Sequence, residues 1–381
     1  MSANTVPLKL PRGALMIDVA GTELTAADRA RLLDPRVGGV ILFARNWRDS
    51  AQLAALTAGI HALRTPSLII AADHEGGRVQ RFRGDGFTNL PSMRTLGARW
   101  QDDHVAALTA AQATGFVLAS ELIAHGVDLS FAPVLDLDYG RSTAIGSRAL
   151  HHDPATVAAL AQAVLAGMAE VGMQGVGKHF PGHGWVEADS HHALPVDERD
   201  YASLWAADLV PYRHRLLRQL GGVMPAHVVY SGVWVETSGA AQPAGFSPFW
   251  LREVLRTRLG FKGVIFSDDL NMAGARSAGD IVARVGAAVA AGCDMLLVCN
   301  HPELVDDLLQ RGVAAVDEAS AARVAALARH KPRPSWLEDV FALELHAPYV
   351  LARERVAALG ALGEADETSM TAARVGNSVG N

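Results

Sequence analysis

The stretch Leu68-Ile69-Ile70-Ala71-Ala72-Asp73 carries the pattern that decides the fold, a short apolar run that ends in a charged residue. The run is continuous rather than alternating, which is typical of a parallel strand covered on both faces. Seven similar runs follow or precede it, and helical patterns separate most of them. The eight predicted strands are Ala14–Val19, Gly39–Phe43, Leu68–Ala72, Val127–Ala132, Gln174–Gly177, Gly222–Pro225, Gly263–Phe266 and Met295–Val298.

Helix start and stop signals lie between these runs. Thr25-Ala26-Ala27-Asp28 is typical of a capped helix start, and Val105–His125 predicts a long alanine-rich helix. Alternation of strand and helix, repeated eight times, predicts an α/β fold that closes as a (β/α)8 TIM-type barrel; an open doubly wound sheet is the alternative. No Gly-x-Gly-x-x-Gly or Walker-type loop follows a predicted strand, so the nucleotide-binding form of that alternative loses its main support.

After about residue 300 the pattern changes to helices without further strands. The segments that favour helix there are Glu303–Leu309, Ser320–Arg329 and Tyr349–Leu359. We therefore predict a single catalytic barrel domain over residues 1–330. A C-terminal helical extension with a flexible tail is predicted over residues 331–381.

The composition limits the class of protein and its partners. Half of the 381 residues are hydrophobic, so a large core is available, and the net charge of −6 argues against a nucleic-acid partner. The two cysteines, Cys293 and Cys299, flank one apolar run and suggest a reducing compartment. With neither a signal-peptide pattern nor an uninterrupted membrane span in the sequence, we expect a cytoplasmic protein without a membrane partner. A monomer is expected, and weak homo-oligomerisation stays open.

Charged and polar side chains follow five consecutive predicted strands. One strand-end aspartate alone is often only a helix N-cap. In a TIM barrel, however, the loops after the strands meet at one rim and carry the chemistry, so five such clusters predict a site. The clusters are Asp73–Arg81, Asp136 with Arg148, Lys178 with His179, His227, and Asp268 with Asp269.

Three longer motifs resemble a known family. Lys178-His179-Phe180-Pro181-Gly182-His183-Gly184, followed by Asp189-Ser190-His191, resembles the signature of the β-N-acetylglucosaminidases of glycoside hydrolase family three. The blocks Asp73–Phe82 and Ser267–Met272 are similar to two further blocks of that family. The likeness extends in the expected order from about residue 16 to about residue 300, and so covers most of the chain.

The resemblance implies a retaining exo-enzyme that needs no metal or other cofactor. Its implied substrate is a muropeptide, the disaccharide of N-acetylglucosamine and 1,6-anhydro-N-acetylmuramic acid with or without stem peptide, from which it removes the terminal N-acetylglucosamine during peptidoglycan recycling. Asp268 matches the catalytic nucleophile, His191 the general acid/base, and Asp189 the carboxylate that pairs with this histidine. The positions that match sugar-binding residues are Asp73, Arg81, Arg148, Lys178 and His179.

The motif residues suit this chemistry. A retaining glycosidase needs a nucleophile and a proton donor about 5 Å apart. Histidine holds a proton near neutral pH with little tuning, because its intrinsic pKa is about 6.5. A hydrogen bond from the ring of His191 to Asp189 would fix the tautomer. Gly182 and Gly184 are expected to leave this loop few backbone constraints, so that it can close over bound sugar.

Two other activities stay open. The histidines at positions 179, 183, 191 and 192, with Asp189, resemble a ligand set in composition, which would suit a metal-dependent barrel hydrolase. However, no His-Glu-x-x-His or His-x-His stands at a strand end. A histidine also repels phosphate less than a carboxylate does, so phosphorolysis of the same bond is the second alternative. The combination of Asp268, Asp189 and His191 disfavours a sugar-binding protein without turnover.

Overall fold

The computed structural model describes residues 8–187, 189–190, 194–233, 242–313, 315–328 and 334–359. Eight short parallel strands build the centre of the described part. They are β1 (Leu15–Ile17), β2 (Val37–Leu42), β3 (Ile69–Ala72), β4 (Leu129–Ser130), β5 (Gly175–Phe180), β6 (Leu220–Pro225), β7 (Val264–Ile265) and β8 (Leu296–Val298). Each overlaps one predicted strand, so all eight strand predictions are confirmed.

These strands close into a ring. Strands β8, β1, β2, β3 and β4 are hydrogen-bonded in that order, and β5, β6 and β7 form a second run. A parallel bridge between Val134 and Lys178 joins the chain after β4 to β5, and another between Phe266 and Met295 joins β7 to β8. The order around the ring is the order along the chain. The fold is therefore the predicted (β/α)8 barrel and not an open doubly wound sheet.

Helices and short paired strands complete the described part of the structure. The helices are α1 (Ala26–Leu32), α2 (Ser50–His61), α3 (Met93–Asp102), α4 (His104–Ala124), α5 (Pro154–Glu170), α6 (Tyr201–Ala206), α7 (His214–Gln219), a π-helix (Phe249–Arg258), α8 (Ile281–Ala291), α9 (Pro302–Arg311), α10 (Glu318–Leu327), α11 (Val340–Glu344) and α12 (347–359). Short 3-10 helices span Ala44–Asn46, Gly146–Arg148, Ala244–Phe246, Ala273–Ala278 and Ser335–Leu337. Small strands pair outside the ring: Leu8–Lys9 with Arg64–Thr65, His74–Gly76 with Val79–Gln80, and Val196–Asp197 with Val229–Tyr230.

Alternate residues of each strand enter two different cores. In β3, Ile69 and Ala71 belong to the cluster that fills the barrel interior. Their neighbours Ile70 and Ala72 belong to the larger cluster formed with the surrounding helices. Successive side chains of a strand point to opposite faces, so a strand between two cores must be apolar on both. The continuous apolar runs of the sequence have this physical cause.

Helix α4 carries the predicted long alanine-rich segment. By length and hydropathy it is the one described helix that could cross a membrane, yet 72% of its apolar window is buried inside the protein. Two glycines allow close contact between α4 and α5. A Cβ at Gly115 would lie 2.0 Å from the Val164 carbonyl oxygen, and one at Gly167 would lie 2.0 Å from that of Gln112. Burial between α5 and the barrel accounts for the apolar composition of α4.

The helices α11 and α12 extend the chain beyond the barrel. A hydrogen bond to a carboxylate of α4 holds α12 in place. The buried Glu121 accepts a hydrogen bond of 2.9 Å from the Tyr349 hydroxyl. It also accepts hydrogen bonds from the Thr88 backbone N–H (3.1 Å) and hydroxyl (2.5 Å). Burial raises the pKa of Glu121 to about 7, although these hydrogen bonds act in the opposite direction. The predicted boundary at residue 330 and the tail beyond residue 359 lie outside the described residues.

We predict that Glu121→Gln removes a pH dependence of stability. The folded-state pKa of about 7 lies above the ordinary value of 4.5. Between these pH values the folded protein therefore holds a proton that the unfolded chain releases, and its stability falls as the pH rises. The free energy of unfolding of the wild type should lose about 3 kcal/mol relative to the variant between pH 4.5 and 8. Urea unfolding of both proteins across this range measures it, and a constant difference would contradict it.

Candidate active site

A cavity of about 280 Å³ opens where the strands of the barrel end. Its walls come from the loops after several strands, which is where a TIM barrel places its chemistry. Seven of the eight predicted site residues line it: Asp73, Arg81, Arg148, Lys178, His179, Asp189 and Asp268. The eighth, His191, lies outside the described residues. The barrel thus brings residues from the ends of β3, β5 and β7 into one cavity.

Lys178 is the centre of a buried ion cluster, by which we mean Asp73, Glu75, Arg81, Arg148 and Lys178. Its side chain is only 3% exposed, and its Nζ lies 2.8 Å from Asp73 Oδ1 and 2.5 Å from Glu75 Oε1. Lys178 belongs to β5, whereas both carboxylates follow β3. The amino group therefore ties together two strand ends on opposite sides of β4.

The two arginines complete the ion cluster. Arg148 donates through Nε and Nη2 to the two carboxylate oxygens of Glu75, both at 2.9 Å. Arg81 donates to Asp73 Oδ2 at 3.0 Å. Burial alone would raise the pKa of both carboxyls, but the three cations outweigh it, so that the pKa of Glu75 falls to about 2 and that of Asp73 is also lowered. Both carboxylates are charged at neutral pH.

The ion cluster contains three cations, which donate hydrogen bonds, and two carboxylates, which accept them. Arg81 has spare capacity, because its buried Nε has no hydrogen-bond partner among the described residues. Hydroxyl and amide groups of a sugar both donate and accept hydrogen bonds, and charged partners make such bonds stronger. This arrangement suits a neutral polyhydroxylated ligand.

His179 is held by Asp136, to which the motifs assigned no role. Its Nδ1 lies 2.6 Å from Asp136 Oδ2. The same carboxylate accepts hydrogen bonds from the backbone N–H groups of His179 (3.2 Å) and His183 (2.7 Å). Because the charged carboxylate only accepts, Nδ1 of His179 carries a proton and donates a hydrogen bond to Asp136. Asp136 thus orients the imidazole that lines the cavity.

The adjacent aspartates after β7 differ in their surroundings. Asp269 accepts hydrogen bonds from the backbone N–H groups of Asn271 (3.0 Å) and Cys299 (3.2 Å), which braces the connection to the end of β8. Burial, helped by the nearby charge of Asp268, raises the pKa of Asp269 to about 7. Asp268 accepts a hydrogen bond from the Asp269 N–H at 2.8 Å and lines the cavity. Of the two, Asp268 is the better candidate for a nucleophile.

The loop after β5 brings Asp189 to the cavity. Its neighbour Ser190 is held at two points: its hydroxyl lies 3.1 Å from His183 Nε2, and its carbonyl accepts the Gly274 N–H at 3.0 Å. His183 is buried, and burial lowers its pKa to about 4. The described part of this loop is therefore anchored on both sides of residue 188.

The two glycines of this loop have a role different from the predicted one. A Cβ at Gly184 would lie 1.9 Å from the Leu137 carbonyl oxygen, and one at Gly182 would lie 2.6 Å from Asp208 Oδ1. Both positions are buried. Gly184 therefore permits close packing against the loop after β4, and Gly182 permits close approach to Asp208. The expectation of few backbone constraints at these two positions was wrong, whereas closure of the loop over bound sugar stays a prediction.

Glu75 was missed by the sequence analysis as a site residue, although a signal for it was present. The backbone continues from β3 into the small strand His74–Gly76, so Asp73 and Glu75 stand two positions apart on an extended segment. Residues at i and i+2 of such a segment share a face. Both carboxylates can therefore reach Lys178, whereas the intervening His74 is fully buried near Phe82 and Phe87.

Comparison with known proteins shows which family the chain resembles. Residues 11–329 match the glycosyl hydrolase family 3 N terminal domain. A beta-hexosaminidase of Aromatoleum aromaticum is 62% identical over 349 residues, which are 92% of this chain and 95% of the relative. NagZ from Neisseria gonorrhoeae, solved in complex with N-trifluoroacetyl-D-glucosamine, has a TM-score of 0.85 and 49% identity, covering 93% of this chain and 99% of its own. A family 3 β-N-acetylglucosaminidase from Paenibacillus has a TM-score of 0.78 and 30% identity, covering 90% and 66%.

The fold and these matches define a glycoside hydrolase built on a TIM-type barrel. The chain belongs to glycosyl hydrolase family 3. Within that family it is an enzyme of the β-hexosaminidase type.

We predict that Glu75→Gln destabilises the protein and weakens substrate binding. The change leaves the buried Lys178 with one carboxylate and Arg148 without its partner. Removing one member of a buried ion pair costs about 3 kcal/mol or more. Chemical unfolding and the KM for an aryl N-acetylglucosaminide measure the two effects.

Glu187→Gln is the matched control. Glu187 pairs with Arg141 at 3.1 Å, but its side chain is 71% exposed. An exposed pair contributes less than about 1 kcal/mol. Equal losses of stability in the two variants would show that the ion cluster contributes no more to stability than an exposed ion pair.

Proposed function

We propose that this enzyme removes terminal N-acetylglucosamine from peptidoglycan fragments by hydrolysis with retention of configuration. The substrate is N-acetylglucosamine linked to 1,6-anhydro-N-acetylmuramic acid, with or without stem peptide. The observation that carries the proposal is one cavity in which Asp268 and Asp189 stand beside the ion cluster, in a chain of the β-hexosaminidase type. A cytoplasmic location is part of the proposal and rests on cysteine usage, since Cys293 and Cys299 are both free.

The size and polarity of the cavity support the exo mode and the sugar. At about 280 Å³ it is at the small end of ligand pockets, so it suits one sugar ring rather than several. In the proposal, the ion cluster and His179 bind the hydroxyl groups of the terminal sugar. The complex of the gonococcal relative with N-trifluoroacetyl-D-glucosamine supports an N-acylated glucosamine as that sugar.

The reaction has two steps in this proposal. The Asp268 carboxylate attacks the anomeric carbon while the glycosidic bond breaks, and His191 gives its proton to the departing oxygen. The product of this step is a glycosyl ester on Asp268. Neutral His191 then takes a proton from a water molecule whose oxygen displaces Asp268, which releases the sugar with its original configuration.

The sequence and the position of Asp189 support a proposed acid/base pair of His191 and Asp189. Asp189 lines the cavity, and the two contacts of Ser190 hold this part of the loop against the barrel. His191 follows directly. In the proposal Asp189 accepts a hydrogen bond from the imidazole and stabilises its protonated form.

We predict that His191→Ala affects substrates according to their leaving groups. An activated aryl leaving group needs little protonation, so the first step should slow by about tenfold, whereas cleavage of the anhydro-disaccharide should slow by about a thousandfold. Asp268→Ala should abolish turnover of both. Burst and steady-state kinetics on the two substrates measure this. His192→Ala is the control and should retain activity, and equal losses on both substrates in His191→Ala would argue against an acid role.

A second prediction separates hydrolysis from the two alternatives. With purified anhydro-muropeptide, NMR should show free N-acetylglucosamine in the β configuration, in unchanged yield when phosphate or a chelator is added. Appearance of a sugar 1-phosphate would establish phosphorolysis. Loss of activity with the chelator, restored by a divalent metal, would establish a metal-dependent hydrolase. Among the residues that the structure describes, no group of three or more His, Cys, Asp or Glu is arranged to hold a metal ion.

A further inference from the structure

We propose that α12 acts as a strut for Arg81, with Tyr349 and Glu121 as positioning residues. The proposal rests on the proposed function, in which Arg81 contacts the sugar. Helix α12 lies beyond residues 11–329, the segment that matches the family domain. The inference therefore gives the C-terminal extension a part in substrate binding.

The first link is the carboxylate of Glu121. It receives the Tyr349 hydroxyl from α12 at 2.9 Å, and the backbone and side chain of Thr88 at 3.1 and 2.5 Å. Glu121 is completely buried, so these donors are its replacement for water. The Glu121 carboxylate thus connects α12 to Thr88, in the loop that follows the block Asp73–Phe82.

The second link is the side-chain amide of Gln80, which holds the same loop from inside. Its Nε2 donates to the carbonyl oxygens of Phe82 (3.0 Å) and Thr88 (2.7 Å). Its Oε1 accepts the Leu90 N–H at 3.0 Å. Residues 82, 88 and 90 are thus all hydrogen-bonded to the side-chain amide of Gln80. Because Thr88 shares this amide with Phe82, a displacement of Thr88 changes the position of residues 80–82.

Arg81 lies in the middle of this segment. Phe82, on its C-terminal side, is fully buried and packs on Phe87 with ring centroids 5.3 Å apart. The Arg81 side chain reaches Asp73 at 3.0 Å and leaves its Nε without a partner among the described residues. Its backbone is thus fixed by its neighbours, while its Nε can donate a further hydrogen bond.

Direct packing between this loop and α12 is incomplete. A cavity of about 380 Å³ lies between residues 86–89 and a wall that includes Arg353, Glu354 and Ala357. Beside this cavity, the hydrogen bonds to Glu121 form a direct polar connection between the two segments. Loss of the Tyr349 hydroxyl should therefore displace Thr88.

The test is Tyr349→Phe, which keeps the ring and removes only the hydroxyl. We expect KM for an aryl N-acetylglucosaminide to rise about fivefold with kcat within about twofold, because a misplaced Arg81 weakens ground state and transition state alike. Thr88→Val removes the hydroxyl at the other end and should have a similar effect. The double variant should be no worse than about the larger single effect, since both act through the same carboxylate.

The controls distinguish a strut from general weakening. Tyr212→Phe removes another buried hydroxyl, one without a partner among the described residues, and should leave KM unchanged. Arg81→Lys should raise KM at least as much as Tyr349→Phe. A lower melting temperature of Tyr349→Phe with normal KM, while Arg81→Lys raises KM, overturns the strut and leaves the proposed function intact. Normal KM in both variants overturns the proposed role of Arg81 and the strut with it.

Discussion

The ion pairs of the buried Lys178 amino group are the interaction on which the site depends. An isolated ammonium in an apolar interior is costly, and here Asp73 and Glu75 compensate it at 2.8 and 2.5 Å. The compensation requires the end of β5 to lie beside the chain that follows β3, which only the correctly ordered ring provides. Barrel closure and the assembly of the ion cluster are therefore one requirement and not two.

The same ion pairs position the side chains that line the cavity. The ion cluster and the pair of His179 with Asp136 fix side chains from three strand ends before any ligand arrives, which is the preorganisation that binding and catalysis need. Asp269 is held in a similar way by backbone N–H groups, and this fixes the neighbouring Asp268. The proposed acid/base residue His191 follows Ser190, whose contacts with His183 and Gly274 hold that part of the loop.

Much of the fold could be predicted because its signal is local. Each strand lies between two cores, so its run is apolar throughout, as Ile69 to Ala72 illustrate. The capping box at Thr25 is likewise present, since it depends on residues three positions apart. The small pairs outside the ring were not predicted, because strands of two or three residues depend on tertiary contacts and not on a periodic pattern.

Site residues that belong to long sequence motifs could be predicted individually. The hydrogen-bond partners of these residues could not, where the partner is distant in the sequence. Seven of eight predicted residues meet in one cavity. The sequence did not indicate that Arg148 pairs with Glu75, or that Asp136 orients His179, because partners 73 and 43 positions apart leave no local pattern. The glycines at 182 and 184 show the same limit. The two glycines suggested a backbone with few constraints, whereas Asp208 and Leu137 approach them so closely that a side chain would not fit.

The central claim is that Asp268 is the group that bonds to the sugar. The most direct measurement is peptide mass spectrometry of the His191→Ala enzyme, quenched with acid during turnover of an activated aryl N-acetylglucosaminide. Without its base, this variant should accumulate the glycosyl-enzyme, and the mass of one N-acetylhexosamine residue should map to Asp268. An adduct on Asp269 or on another side chain, or accumulation of no adduct while the substrate is still cleaved, would contradict the account.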